Sequence, residues 1–241
     1  MPLGRFLEIS LATTDVAESL AFYESLGFVQ ASVGEAWPHP YAVVTDGRVS
    51  LGLHGLEFES PLPTWVAPSL RERLDALAAL GVSIDDARLD DVSMHRALLR
   101  DPSGQPLRLL EARTFSPPAL SPAHSSALGY FEEFALATLD LAAASAFWER
   151  LGFVAFEPVL EALPKVVAAS RDLNVGLYAI DLQAPVLVFT DAAMPERIAS
   201  LRDRGHRFAQ RMPRELLAID AAMLVAPEGT QLLLLKELAA G

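Results

Sequence analysis

Two glutamates occupy the same place in two related segments of the sequence. The segment FLEISLATTDVAESLAFYESLGF spans residues 6–28 and FEEFALATLDLAAASAFWERLGF spans residues 131–153, so Glu8 and Glu133 each stand third. A carboxylate in an apolar cleft has a raised pKa and can act as a general base, or it can attract a cationic group of a ligand. Glu8 and Glu133 are therefore the candidate catalytic residues.

A second group of candidate site residues lies in GEAWPHPYAVV, residues 34–44. Trp37, His39 and Tyr41 alternate, as residues on one face of a strand do, and their rings could stack on a planar ligand. Ordinary packing against a neighbouring unit would give the same pattern. The corresponding stretch after the second segment, residues 158–170, contains no aromatic residue, which favours the first half as the binding half.

Two further histidines, His54 and His95, stand alone in the sequence. We interpret them as surface residues or hydrogen-bonded structural residues rather than as catalytic bases. The chain also has no Ser-His-Asp order, no Walker loop and no glycine pattern for binding a dinucleotide.

Composition excludes several classes of function. The 241 residues include no cysteine, which excludes disulfides and thiolate chemistry and fits a reducing cytoplasm. A net charge of −12 without a basic stripe argues against nucleic-acid binding. No apolar run approaches the ~18–20 residues of a membrane span, and the N-terminus lacks the features of a signal peptide. We therefore expect a cytoplasmic protein whose partner is a small molecule.

The elements that position these residues come from an internal duplication. Landmarks such as Gly104 and Gly229 recur 125 residues apart. This offset predicts a first domain at residues 1–113 and a second domain at residues 129–241. Residues 114–128, which join them, are rich in Pro, Ser and Ala and predict an exposed linker.

Each half divides again into two units of one strand, one helix and three further strands. Apolar residues at helical spacing, a Leu-Gly stop after each helix and turn sequences such as DPSG mark these elements. Asp15 and Ser69 are expected to cap the first two helices. The pattern predicts four βαβββ modules, near residues 6–54, 60–111, 130–180 and 185–237. The fold class is therefore α+β, with curved mixed sheets that form concave troughs and with helices outside.

The same residues resemble the vicinal oxygen chelate superfamily, which includes glyoxalase I, extradiol dioxygenases and the bleomycin and fosfomycin resistance proteins. The resemblance rests on LATTDVAESLAFYESLGF with LLRDPSGQPLRLLE, and on LATLDLAAASAFWERLGF with VAPEGTQLLLLKE. It implies two glyoxalase-like domains in tandem. It does not imply one activity, because the superfamily contains isomerases, dioxygenases, transferases and binding proteins.

The resemblance also indicates where a metal ion would bind. Metal-dependent members usually carry a histidine on the first strand and a glutamate on the last strand of each half. These positions hold Glu8 and Arg108 in the first half, and Glu133 and Leu233 in the second half. One carboxylate cannot hold a catalytic divalent ion, which requires two or three protein ligands. We therefore expect no metal site and no cofactor.

Strand alternation places Glu8, Ser10 and Arg108 on the trough face of the first half. If the geometry of the superfamily holds, the Arg108 guanidinium takes the position of the metal and pairs with the Glu8 carboxylate. This pair either neutralises the floor of the trough or also contacts the ligand. Glu133 has no matching arginine, so it either reaches water at the rim or remains an unpaired acid.

The expected function is metal-independent binding of a small apolar or planar molecule, as in bleomycin resistance proteins. The expected ligand-binding residues are Glu8, Ser10, Trp37, His39, Tyr41, Arg108 and Glu133. The alternative is a glyoxalase-like or dioxygenase-like enzyme, including a metal-free lyase or isomerase with Glu8 or Glu133 as its base. The sequence leaves open whether modules pair within or between halves, and it is compatible with a monomer or a homodimer.

Overall fold

The structure, a computed structural model, describes residues 2–33, 37–90, 94–112, 126–157 and 163–237. The first module contains strand β1 (Arg5–Ala12), helix α1 (Val16–Ser25) and strands β2 (Val29–Ala31), β3 (Tyr41–Thr45) and β4 (Ser50–His54). The second module contains β5 (Leu62–Ala67), α2 (Leu70–Ala79), β6 (Asp86–Arg88), β7 (Arg96–Arg100) and β8 (Pro106–Glu111).

The second half repeats this order with one change. Its first module contains β9 (Tyr130–Ala137), α3 (Leu141–Arg150), β10 (Val154–Phe156), β11 (Lys165–Ala169) and β12 (Val175–Tyr178). Its second module contains β13 (Val186–Asp191), α4 (Met194–Asp203), the short helix α5 (Arg214–Leu217), β14 (Ala222–Val225) and β15 (Gln231–Lys236).

The fourth module differs from the predicted βαβββ pattern. Where the other modules place a strand directly after the helix, this module has one isolated bridge between Phe208 and Leu224. Pro213 follows, and it has no N–H group to donate to a strand ladder, so the chain turns into α5 instead. Three modules are therefore complete, and the fourth exchanges a strand for a helical turn.

Each half folds its two modules into one mixed sheet. The strand orders are β2-β3-β4-β1-β5-β8-β7-β6 and β10-β11-β12-β9-β13-β15-β14. The first strands of the two modules, β1 with β5 and β9 with β13, are antiparallel neighbours. Each lies parallel to the last strand of its own module. The modules therefore pair within the halves, which the sequence left open, and the expected α+β architecture of two glyoxalase-like domains is confirmed.

Alternation along the central strands separates the core from the trough, as predicted. Ile9 and Leu11 are buried in the apolar cluster that includes residues of α1, and Phe134 and Leu136 are buried in the same cluster. This cluster continues from one half into the other, so the two helical layers share one core. Among the described helices, none is long and apolar enough to cross a membrane.

The helix caps confirm one local prediction and correct another. The Asp15 carboxylate accepts the N–H groups of Ala17 and Glu18 at the start of α1, as expected. The Ser69 side chain makes no capping hydrogen bond. The Glu111 carboxylate at the end of β8 accepts the N–H of Leu70 at 2.9 Å instead. A residue distant in sequence thus accepts the hydrogen bond from the helix N-terminus that the local Ser69 motif was expected to accept.

The end of the predicted linker belongs to the folded structure. Ser126 and Leu128 are buried, and the Ala127 N–H donates to the Leu26 carbonyl at 2.7 Å. The prediction of an exposed linker is therefore wrong for residues 126–128, because the Ala127 backbone bonds to the first half and Leu128 packs into the core. The rest of the predicted linker, residues 114–125, lies outside the described residues.

Candidate functional site

Glu8 is the buried centre of a hydrogen-bond network on the trough face of the first half. Its side chain is 1% exposed. Its Oε1 atom accepts from the Ser10 hydroxyl at 2.6 Å and lies 2.8 Å from His54 Nε2. Its Oε2 atom accepts from the Tyr41 hydroxyl at 2.5 Å. Strands β1, β3 and β4 therefore each direct one hydrogen-bond donor at this carboxylate.

The network favours an ionised Glu8 beside a neutral Tyr41. Burial alone would raise the pKa of Glu8, but the hydrogen bonds from His54, Ser10 and Tyr41 lower it below its ordinary value. Burial raises the pKa of Tyr41 far above its ordinary value, and the negative charge of Glu8 adds to this effect. Glu8 is thus an acceptor whose two oxygens are already engaged.

Backbone features make room for this carboxylate. Gly52 on β4 lies opposite Ser10, and a Cβ atom at Gly52 would overlap the Glu8 carboxylate. Gly176 on β12 leaves the same space beside Glu133. A glycine inside a strand therefore marks a close approach in both halves. The register of both central strand pairs also shifts next to the glutamate, as a β-bulge does when it redirects a side chain.

Arg108 reaches Glu8 through Ser10 and makes no direct contact with it. The Arg108 Nη2 atom donates to Ser10 Oγ at 2.6 Å, and Nε donates to Thr64 Oγ1 at 3.2 Å. The ion pair expected between Arg108 and Glu8 is therefore not formed. The register explains this difference, because Thr64 of β5 stands between Glu8 of β1 and Arg108 of β8. Two strand spacings of about 4.8 Å separate the two backbones.

Aromatic side chains border the Arg108 guanidinium. The rings of Trp37 and Phe58 each have their centroid 5.4 Å from its Cζ atom. The Trp37 ring also lies 5.4 Å from the ring of His39 and 6.2 Å from that of Tyr41. The fold therefore brings together the residues that the sequence singled out in the first half.

His54 is the main site residue that the sequence interpretation undervalued. It is 1% exposed, and besides its contact with Glu8 its Nδ1 atom lies 2.9 Å from His39 Nε2. The interpretation as a hydrogen-bonded residue was right, but its place in the site was missed. Pairing β3 with β4 across the TDG turn puts His54 opposite Tyr41, and this hairpin register was the available signal. His95 lies apart from the site, with its Nδ1 atom 3.3 Å from Glu111.

The trough of the second half is filled by its own apolar side chains. Register places Ala135, Val188 and Leu233 where the first half has its serine, threonine and arginine. All three are buried in a cluster with Leu216 of α5 and Met223 of β14. This trough is therefore a second core rather than a cleft.

Glu133 is buried in that half and lies beside a cation. It is 0% exposed, and its Oε1 atom accepts from the Tyr178 hydroxyl at 2.6 Å and from Lys165 Nζ at 3.0 Å. Neither expectation for Glu133, contact with water at the rim or an unpaired acid, is correct. Lys165 and Tyr178 stand opposite each other on β11 and β12, as Tyr41 and His54 do on β3 and β4. The sequence did not single out this lysine.

Known structures resemble this arrangement of strands and helices. Catechol 2,3-dioxygenase matches with a TM-score of 0.58 and 13% sequence identity, over 96% of this chain and 87% of that chain. A variant of homoprotocatechuate 2,3-dioxygenase from Brevibacterium fuscum gives 0.59 and 17%, over 96% and 70%. BphC, a halotolerant catechol dioxygenase, gives 0.56 and 16%, over 98% and 87%. The chain has the vicinal oxygen chelate fold.

Identities this low show the shared fold and leave the activity open. The sequence matches no family model and no curated protein. Within the vicinal oxygen chelate fold, the function of this chain must therefore be inferred from its own trough residues.

The trough residues of this vicinal oxygen chelate fold do not suit a divalent metal ion. No group of three or more His, Asp or Glu side chains in the described part of the chain could hold one. Glu8 already has three donors, and the Arg108 guanidinium lies just beyond them, where it would repel a second cation. In the second half, Lys165 occupies one Glu133 oxygen and Leu233 offers no donor.

Two clefts of the described chain lie away from these residues. One of about 420 Å³ runs between the halves, with Gln105 on one side and Leu182 on the other. Another of about 660 Å³ is bordered by Thr13, Gly55 and Glu228. Neither is lined by the buried network, so the convergent polar chemistry belongs to the trough.

Proposed function

We propose that the first half binds, without a metal ion, a small planar molecule that carries a negatively charged oxygen. The observation that supports this most directly is the state of Arg108. Two hydroxyls fix its guanidinium, aromatic rings border it, and its Nη1 group has no acceptor among the described residues. A pre-oriented cation with donors to spare is suited to a carboxylate or a phenolate.

The separation of the Arg108 cation from the Glu8 carboxylate supports this proposal. Had Arg108 paired with Glu8, the carboxylate would have neutralised the guanidinium. Glu8 is instead held by His54 and Tyr41 on the far side of Ser10, so the cation is separated from the acid. Trp37 and Phe58 offer ring surfaces on which the planar part of a ligand can stack.

Catalysis with either glutamate as the base receives no support from the geometry. A general base must come within hydrogen-bond distance of the proton that it removes. Both oxygens of Glu8 are already engaged by neighbouring donors, and Glu133 lies under the apolar side chains that fill the second trough. We infer that the second half stabilises the fold and that binding belongs to the first half.

A thermal-shift screen on chelator-treated protein tests the proposal. The panel contains aromatic carboxylates and phenols, each paired with an uncharged analogue. Benzoate, for example, is paired with benzamide. A binder raises the melting temperature by mass action, so the anions should raise it and their analogues should not. The Arg108→Met variant should lose the effect, whereas Arg88→Met, at an exposed position on β6, should keep it. Stabilisation that requires an added divalent metal, or that survives in Arg108→Met, would contradict the proposal.

A further inference from the structure

Binding of an anion does not account for one feature of the trough, a series of three hydrogen-bonded groups that can carry a proton. Glu8 Oε1 lies 2.8 Å from His54 Nε2, and His54 Nδ1 lies 2.9 Å from His39 Nε2. The series begins at the Glu8 carboxylate, which is 1% exposed, and ends at His39, which is only partly buried. This series of groups therefore leads from a buried carboxylate to an imidazole that solvent can reach.

The hydrogen-bond partners assign the tautomers of both imidazoles. Because the Glu8 carboxylate can only accept, His54 must carry a proton on Nε2. A neutral His54 then presents its Nδ1 lone pair to the Nε2–H group of His39. His39 is left with a lone pair on Nδ1, an atom with no hydrogen-bond partner in the described ranges. This atom is a base that the two groups behind it hold in one orientation.

We propose that His39 takes a proton from an acidic hydroxyl group of the bound ligand, such as that of a phenol or an enol. The O–H bond of the ligand breaks, its electron pair stays on oxygen, and the proton binds His39 Nδ1. The Nε2 proton of His39 moves to His54 Nδ1, so the positive charge comes to rest beside Glu8. This inference rests on the proposed function, because it places the ligand in the same trough.

The position of Arg108 supports this assignment. The Trp37 ring lies 5.4 Å from the His39 ring and 5.4 Å from the Arg108 Cζ atom, so the base and the cation border one aromatic surface. A planar ligand on that surface could present its hydroxyl group to His39. The resulting oxyanion would then form beside the guanidinium, which stabilises the ionised ligand relative to the neutral one.

The charges around His39 keep it ready to accept a proton. Burial lowers the pKa of His39, and the positive charge of Arg108 lowers it further. A neutral imidazole is therefore the state favoured at neutral pH. Glu8 and Tyr41 face His54 from the other side, and the Glu8 carboxylate offsets the charge that His54 acquires.

The test uses 4-nitrophenol, whose phenol and phenolate forms absorb at different wavelengths. The titration is run at a pH where the free compound is mostly the neutral phenol. Wild-type protein should bind it with the spectrum of the phenolate. His39→Gln and His54→Gln should show at least a tenfold smaller ratio of bound phenolate to bound phenol, whereas His95→Gln should match wild type. Calorimetry measures the affinity of each variant independently of the spectrum.

Titration with 4-nitroanisole, which lacks the hydroxyl proton, separates proton transfer from packing. If His39 only supports Trp37, then His39→Gln weakens binding of both compounds alike, and this result would overturn the inference. A phenolate spectrum that persists in His39→Gln would overturn it as well, because Arg108 alone would then ionise the ligand. Binding to wild type as the neutral phenol would refute the proton transfer and leave the proposed function intact. Absence of saturable 4-nitrophenol binding would refute this ligand class, whereas the carboxylate screen judges the proposed function separately.

Discussion

Arg108 and Glu8 are connected through one hydroxyl group. Ser10 Oγ lies 2.6 Å from Arg108 Nη2 and 2.6 Å from Glu8 Oε1, and the two charged groups form no ion pair. The serine therefore holds the cation in place without neutralising it. This arrangement leaves the acid to His54 and Tyr41 and the guanidinium to a ligand.

Removal of the connecting hydroxyl should destabilise the protein. We expect Ser10→Ala to lower the free energy of unfolding by about 1–3 kcal/mol, because buried partners lose a hydrogen bond that water cannot replace. Ser25→Ala, at an exposed position on α1, should change it by less than about 0.5 kcal/mol. Urea unfolding of both variants measures the difference. A Ser10→Ala variant as stable as Ser25→Ala would show that the bridge contributes nothing.

The ionised state of Glu8 gives stability a defined dependence on pH. The pKa of Glu8 in the folded protein lies below its ordinary value of 4.5, so folding favours the carboxylate. Its contribution is complete above about pH 4.5 and is lost as the pH falls through the lower folded pKa. Glu8→Gln lacks this contribution, so we expect wild type to exceed it by about 2 kcal/mol at pH 7.

Urea unfolding between pH 7 and pH 3 measures that gap between wild type and Glu8→Gln. The gap should narrow as the pH falls below about 4.5. Glu24→Gln, at an exposed position, serves as the control. Its difference from wild type in the free energy of unfolding should stay small at every pH. A gap for Glu8→Gln that widens on acidification would mean that the buried group is protonated in the folded state.

Space for the carboxylate depends on a glycine in the neighbouring strand. We expect Gly52→Ala to destabilise the protein by about 1–3 kcal/mol, because its Cβ atom would overlap the Glu8 carboxylate. In a Glu8→Ala background the same change should cost less, which gives a coupling energy of at least about 0.5 kcal/mol. A double-mutant cycle from urea unfolding measures this coupling. Purely additive effects would place the two groups out of contact.

The second half should depend on a buried ion pair rather than on a ligand. Lys165→Met leaves the Glu133 carboxylate buried without its cation, so we expect a loss of about 3–5 kcal/mol. Glu133→Gln combined with Lys165→Met should recover most of the loss. Lys236→Met, at an exposed end of β15, should have little effect. If Lys165→Met left stability unchanged, Glu133 would have to reach another cation or water.

Most of the fold could be predicted from the sequence because the duplication repeats its main structural signals. The recurrence of Gly104 as Gly229 sets the offset, and strand alternation correctly placed Glu8, Ser10 and Arg108 on one face. His54 was undervalued because no local motif surrounds it. Its role comes from the hairpin register, which sets it opposite Tyr41 thirteen positions earlier in the chain.

The filling of the second trough could not be predicted in the same way. Ala135, Val188 and Leu233 would line an open apolar cleft as readily as a packed core, and the sequence pattern is identical in the two cases. The difference comes from Leu216 on α5, a helical turn too short to give a periodic signal. Only tertiary packing shows that this segment covers the trough.

Calorimetric titration of chelator-treated protein with the tightest aromatic anion from the screen tests the central claim most directly. If the Arg108 guanidinium takes the place of a metal ion, chelation should leave the affinity unchanged. Arg108→Met should weaken it at least tenfold, which corresponds to about 1.4 kcal/mol. Affinity that disappears on chelation and returns with a divalent metal ion would contradict the account.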